Sequence, residues 1–155
     1  MNTLKVMKSH KEAIVPKYAT KGAACFDFHS LTEGTVGLGN LSRVFETGLK
    51  FQIPEGWVML IFSRSGHGFN SDVRLSNCVG VIDSDYRGEV KIKLRADSSG
   101  VFTVLKGDRI AQGFMVPAQQ WELEEVLELS ETVRGEGGYG STGTGRNFIG
   151  QSKEN

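Results

Sequence analysis

The sequence predicts an all-β domain, a jelly-roll-like sandwich or barrel of short, mostly antiparallel strands, followed by a flexible C-terminal tail. Three observations predict it. Short apolar or alternating runs recur along residues 1–130, each bounded by Gly, Pro, Asn or Asp. No long segment carries the helical period of 3.6 residues. From Arg134 onward the sizeable apolar side chains thin out to Tyr139, Phe148 and Ile149. Residues 131–155 therefore form a glycine-rich tail that cannot bury enough surface to order itself unless it docks on a ligand or partner.

In chain order, residues 3–7 predict a first short strand, and Pro16 bounds the segment after it. Residues 23–29 place Asp27 between Phe26 and Phe28 on a second strand. Turns follow at Gly34, Gly37 and Gly39. Residues 44–51 alternate, with Phe45, Thr47, Leu49 and Phe51 on one side. Ile53-Pro54-Glu55-Gly56 fits a type I turn. Residues 57–62 are apolar throughout and predict a strand buried on both faces. A short helical turn is expected after Gly66. Residues 78–82 and 89–94 read as the two arms of a hairpin, the second with Val90, Ile92 and Leu94 facing one way and Glu89, Lys91 and Lys93 the other. Residues 101–105 and 109–116 supply two more strands; 121–129 reads as a third, its odd positions apolar except Glu125, although Leu123, Val126 and Leu127 also suit a helix.

Composition removes several classes of function. The chain has 155 residues, enough for one domain with its own core. Lys+Arg and Asp+Glu balance at 18 each, so no global field draws it to nucleic acid or to an anionic membrane. Any polyanion must be held by local groups. Cys25 and Cys78 show no metal or disulfide spacing and are expected to be small buried apolar residues. No signal-peptide-like or membrane-spanning apolar run is seen, which predicts an interior protein, cytoplasmic or, in a eukaryotic or viral setting, nuclear or inside the host cell.

Four stretches carry more chemistry than a β domain needs. Asp83-Ser84-Asp85-Tyr86-Arg87-Gly88 has turn formers, but an Asn-Gly pair would suffice for a tip. Two strand walls with a carboxylate at the base make a slot whose backbone groups can hydrogen-bond a flat heterocycle. Ser63-Arg64-Ser65-Gly66 follows a strand with an arginine, hydroxyls and backbone N–H groups suited to a phosphate. Arg134-Gly135-Glu136-Gly137-Gly138-Tyr139-Gly140-Ser141-Thr142-Gly143 joins glycines that let backbone approach phosphates to donors at Arg134, Ser141 and Thr142. Its Tyr139 offers a ring on which a base can stack. In Gly107-Asp108-Arg109-Ile110-Ala111-Gln112, a tight turn into a strand, Asp108 and Arg109 are expected to fix structure, while Gln112 suits a phosphate.

In chain order, Ala24-Cys25-Phe26-Asp27-Phe28, Arg64-Ser65-Gly66, Gly80-Val81-Ile82-Asp83-Ser84-Asp85-Tyr86-Arg87-Gly88, Gly107-Asp108-Arg109-Ile110-Ala111-Gln112 and residues 134–143 resemble the five motifs of the trimeric dUTP pyrophosphatase (dUTPase) family, over about residues 3–143. The resemblance implies a β jelly roll that assembles as a homotrimer with shared active sites. It implies Mg²⁺-dependent hydrolysis of dUTP to dUMP and pyrophosphate, which lowers dUTP and supplies dUMP for dTMP synthesis. Carried over by residue, Asp83 resembles the base that orients the attacking water and holds the sugar 3′-hydroxyl, and Tyr86 resembles the ring that excludes a 2′-hydroxyl. Asn77 and the backbone around Gly80, Val81, Ile82 and Lys91 match the uracil-reading positions. Arg64, Ser65, Gly66 and Gln112 match phosphate contacts. Asp27 matches the acid that orients a metal-bound water, most Mg²⁺ ligands being phosphates and water. Arg134, Tyr139, Gly140, Ser141 and Thr142 match the tail that closes over the nucleotide.

The chain departs from the family pattern at Cys25, where glycine is usual, at His67-Gly68-Phe69-Asn70, and at Tyr139, where phenylalanine is usual. Two alternatives share the fold: a dCTP deaminase or bifunctional enzyme, and a dUTP-sensing regulatory protein.

Overall fold

The computed structural model describes residues 3–37, 39–139 and 141. The chain divides into two units, Met1–Gln120 and Trp121–Asn155. In the first unit the described residues form eleven strands and one short helix: β1 (Lys5–Lys8), β2 (Phe26–His29), β3 (Gly34–Val36), β4 (Ser42–Glu46), β5 (Leu49–Gln52), β6 (Trp57–Phe62), α1 (Ser65–Ser71), β7 (Val73–Leu75), β8 (Val79–Ile82), β9 (Lys91–Ala96), β10 (Phe102–Val104) and β11 (Arg109–Pro117). Every strand pairing is antiparallel. The strands sort into sheets of order β2-β11-β6-β8 and β4-β9-β7, with two-stranded ribbons β1-β5 and β10-β3. This is the expected jelly-roll-like, all-β architecture.

The core follows from alternation. In β9, Ile92, Leu94 and Ala96 are buried while Lys91, Lys93 and Arg95 face out. Phe28, Phe45, Leu49, Met59, Ile92, Leu94 and Ile110 are among the largest fully buried side chains. Tyr18, Phe26, Phe28 and Phe51 form a chain of edge-on ring contacts with centroids 5.7, 5.7 and 5.8 Å apart. Gly113 of β11 makes room for it: a Cβ there would lie 2.8 Å from the Phe28 ring.

Four expectations are corrected. Residues 44–51 are two strands rather than one. The chain turns at Gly48, whose φ of 66° favours glycine, and passes from the β4-β9 ladder to the β5-β1 ladder. Phe45, Thr47, Leu49 and Phe51 still all point inward, which is why the alternation runs unbroken through the break. β6 is not buried on both faces: Met59 and Ile61 are buried, while Trp57, Val58, Leu60 and Phe62 are half-buried. Residues 121–129 carry no strand. Cys78 is exposed and Cys25 only half-buried.

Candidate active site

The arms of the expected hairpin are not paired with each other. β8 pairs with β6 at the end of the four-stranded sheet, and β9 pairs with β4 and β7 in the three-stranded sheet. Residues 78–94 therefore form a splayed V between two sheets, and the outer edge of β8 keeps unpaired N–H and C=O groups. A cleft of about 450 Å³ opens there, with Val81, Ile82 and Lys91 as walls and Asp83 and Tyr86 at its mouth. An adjoining cleft of about 290 Å³ continues past Gly80 to Asn77. Gly80 packs close on β6, where a Cβ would come within 3.2 Å of Ile61.

The tip is held by its own hydrogen bonds. Arg87 Nη1 donates to the carbonyls of Ser84 at 2.6 Å and Tyr86 at 2.9 Å. The Tyr86 hydroxyl donates to the Glu89 carbonyl at 3.1 Å. Thr47, buried, donates to the Val90 carbonyl at 2.6 Å, and the Gly48 N–H donates to Glu89 Oε1 at 3.0 Å. The second arm is thereby fixed to the turn before β5. At the far end of the slot Cys78 has φ 64°, and the Val79 N–H donates to the Asn77 carbonyl at 2.7 Å. A non-glycine residue there marks a tight, sparsely populated turn directly after Asn77. Lys91 Nζ is paired with Glu46 at 2.9 Å in solvent, so its backbone rather than its ammonium faces the slot.

A second group gathers where β2, β6 and β11 meet. The Asp27 carboxylate, 16% exposed, lies 3.3 Å from Arg64 Nε and accepts a hydrogen bond from Arg109 Nη1 at 3.2 Å. Gln112, the register partner of both Asp27 and Phe62, donates through Nε2 to the Ser63 carbonyl at 2.9 Å. Ser63 Oγ accepts from the Leu75 N–H. Ser65 and Gly66 open α1 and are exposed. Asp108 behaves as expected of a turn residue, accepting from the Leu105 N–H at 2.8 Å. Arg109 does more than fix a turn, because it is the second cation on Asp27. Burial, reinforced by the Asp27 carboxylate, pushes the Cys25 thiol up and disfavours its thiolate.

The two groups stand apart. Met59 pairs with Ile82 and Phe62 with Val79, so Asp83 lies beyond the start of β6 while Arg64 lies beyond its end. From position 58 to 64 the extended chain advances about 20 Å. Within one chain the structure thus joins Asn77, Gly80, Val81, Ile82, Asp83, Tyr86 and Lys91 around the slot, and Asp27, Arg64 and Gln112 in the second group. It does not bring Arg64 to Asp83.

In the second unit, Arg134 Nε donates to the Gly137 carbonyl at 2.7 Å, and the Gly137 N–H donates back to Arg134 at 3.0 Å. The Ser141 N–H donates to Gly138, and Tyr139 is exposed at φ 47°. Gly140 and Thr142 lie outside the described residues.

Three residues of these clusters were not legible as site residues. Arg109 reaches Asp27 only through the β2–β11 register. His67 has the i, i+3 spacing from Arg64 that brings side chains together on a helical turn. Gly88 lies under the Tyr86 ring, and sequence gives no sign of that.

The dUTPase family profile matches residues 11–143. A deoxyuridine 5′-triphosphate nucleotidohydrolase of Nautilia profundicola is 45% identical over 140 residues, spanning 90% of this chain and 98% of that one. One of Helicobacter hepaticus is 40% identical over 143 residues, spanning 92% and 90%. Among solved structures, a Staphylococcus bacteriophage 80alpha dUTPase with dUPNHPP superposes with a TM-score of 0.84 at 30% identity, covering 92% of this chain and 99% of that one. With motifs, fold and relatives in agreement over most of its length, the chain belongs to the dUTPase family.

Proposed function

We propose that the chain hydrolyses dUTP at the α-phosphorus, releasing dUMP and pyrophosphate, with Mg²⁺ and as a homotrimer whose sites are shared between copies. The observation that carries this reading is the splayed slot between β8 and β9, with an exposed carboxylate at its mouth. Unpaired backbone groups of residues 80–82 and 91 suit the donor and acceptor edge of uracil. Cytosine, with that edge altered, leaves buried groups unpaired. Tyr86 packs under the deoxyribose and Asn77 closes the base end. Asp83 holds the 3′-hydroxyl and orients the attacking water as a general base, a contribution of roughly 10²–10⁴-fold.

The phosphates need a second set of groups. Arg64, Ser65, Gly66 and Gln112 have the donors for them, and the distance of about 20 Å from Asp83 along one chain favours a site completed by another copy. Arg134, Tyr139, Gly140, Ser141 and Thr142 then close over the nucleotide and exclude water. Among the described residues there is no cluster of three or more acids, histidines or cysteines that could cage a metal. A cation held mainly by phosphates and water needs few protein carboxylates, and Asp27, the acid of this group, would orient one of its waters once substrate phosphate draws Arg64 and Arg109 away from it. The cation, when bound, neutralises triphosphate charge. Such an enzyme belongs in the cell interior with the deoxynucleotide pool, where it lowers dUTP and supplies dUMP for dTMP synthesis.

Pyrophosphate release from dUTP, dCTP, dTTP and UTP with Mg²⁺, and then with EDTA, tests the reading. Release from dUTP alone, abolished by EDTA, is expected; release of ammonia from dCTP contradicts it.

A further inference from the structure

The side chain at position 67 touches Arg64, read above as a phosphate ligand. His67 Nε2 lies 3.3 Å from Arg64 Nη1. A guanidinium only donates, so Nε2 accepts, and the proton of the neutral ring sits on Nδ1. That Nδ1 is buried without a partner among the described residues. The ring packs on Phe102 of β10, centroids 4.9 Å apart.

Arg64 meets three acceptors from three elements. Nε lies 3.3 Å from Asp27 Oδ1 on β2, and Nη1 donates to the Arg109 carbonyl of β11 at 3.3 Å and to His67 of α1. Among the described residues Nη2 makes no hydrogen bond, so two N–H groups remain for an incoming oxygen pair. Removing the imidazole leaves Nη1 half-satisfied and the guanidinium held by Asp27 and the Arg109 carbonyl alone.

We propose that His67 is a positioning residue for substrate phosphate: its neutral imidazole accepts a hydrogen bond from Arg64 and holds the guanidinium with Nη2 presented to the triphosphate. This rests on the reading of Arg64 as a phosphate ligand. The ring is suited to the task because burial, and then the charge of Arg64, hold its proton affinity below the ordinary histidine range, against the opposing pull of Asp108 and Asp27. A protonated ring has no acceptor for Nη1 and repels it.

The test is steady-state dUTP hydrolysis by His67→Leu, His67→Gln and Arg64→Ala. His67→Leu is expected to raise KM roughly tenfold, the scale of one hydrogen bond to a charged group, with a smaller change in kcat. His67→Gln, whose amide oxygen stands where Nε2 stood, recovers most of the loss. Wild type is expected to show a KM that rises on acidification, and His67→Gln is expected to lose that rise. Leu and Gln variants that behave alike, or a wild-type KM that is flat with pH, overturn the proposal. Arg64→Ala separates it from its premise: an unchanged KM there refutes the phosphate role of Arg64, whereas a raised KM with a silent His67→Leu refutes only the role of His67. Should His67→Leu fold poorly, ¹⁵N shifts of the wild-type imidazole decide: the Nδ1–H form at neutral pH is expected, and an Nε2–H form or an imidazolium overturns it.

Discussion

The Tyr86 ring occupies the space that a side chain at Gly88 would take: a Cβ there would stand 2.9 Å from Tyr86 Cε2 and overlap the phenol oxygen. Gly88 is not among the glycines at positive φ, so alanine costs little in the backbone and acts through Tyr86 alone. Gly88→Ala is expected to displace the ring that, in the proposed site, lies against the sugar. The ratio of kcat/KM for dUTP over UTP should fall roughly tenfold, the weight of a lost close contact. An unchanged ratio would show that Tyr86 does not set sugar selectivity.

Asp27 faces two arginines with one carboxylate, and in the proposed site it also orients a water of the cation. Asp27→Asn is expected to raise the Mg²⁺ concentration for half-maximal turnover by roughly 10-fold or more, as loss of an outer-shell partner does. Nucleotide binding in EDTA should tighten, because Arg64 and Arg109 lose their competitor for phosphate. Weaker binding in EDTA would mean that Asp27 serves chiefly to hold the arginines in place.

A chain ending at Ser130 loses Arg134, Tyr139 and Ser141 but keeps all eleven strands. Its thermal midpoint should stay near that of the full chain, while kcat/KM for dUTP falls by roughly 10²-fold through lost closure and charge stabilisation. Undiminished turnover would make the tail a bystander.

Burial lowers the proton affinity of both His29 and His67. Below the unfolded value of about 6.5 the unfolded chain takes up protons that the native rings refuse. Their contribution to stability is thus fully present above that pH and is lost as pH falls through the lower native values. The thermal midpoint should drop between about pH 7.5 and about pH 5.5, and His29→Gln with His67→Gln should flatten the drop. An equally steep drop in that double variant assigns the acid sensitivity to other groups.

Much of the strand pattern was legible because burial on one face writes a period of two into the sequence, as Ile92, Leu94 and Ala96 do in β9. What alternation does not encode is the partner. Residues 78–82 and 89–94 read as a hairpin, yet β8 joins β6 and β9 joins β4 and β7. The slot exists because of that separation. The break at Gly48 was hidden for a related reason: Thr47 and Leu49 both stay inward while the chain changes sheets. Residues 121–129 alternate in sequence, but a ladder needs a neighbour that local periodicity cannot supply. Asp27, Arg64 and Gln112 were each readable as site residues; that Arg109 and His67 join them depends on strand register and a helical turn.

In the proposed enzyme the carboxylate of Asp83 and the guanidinium of Arg64 serve one reaction from different copies of the chain. Asp83→Asn and Arg64→Ala, each expected to be nearly inactive alone, should be co-refolded in equal amounts and assayed for pyrophosphate release from dUTP. Random assembly then joins an intact Asp83 to an intact Arg64 from a neighbour at about a quarter of the sites, and about a quarter of wild-type activity should return. A mixture no more active than either variant by itself would rule out a site shared between copies.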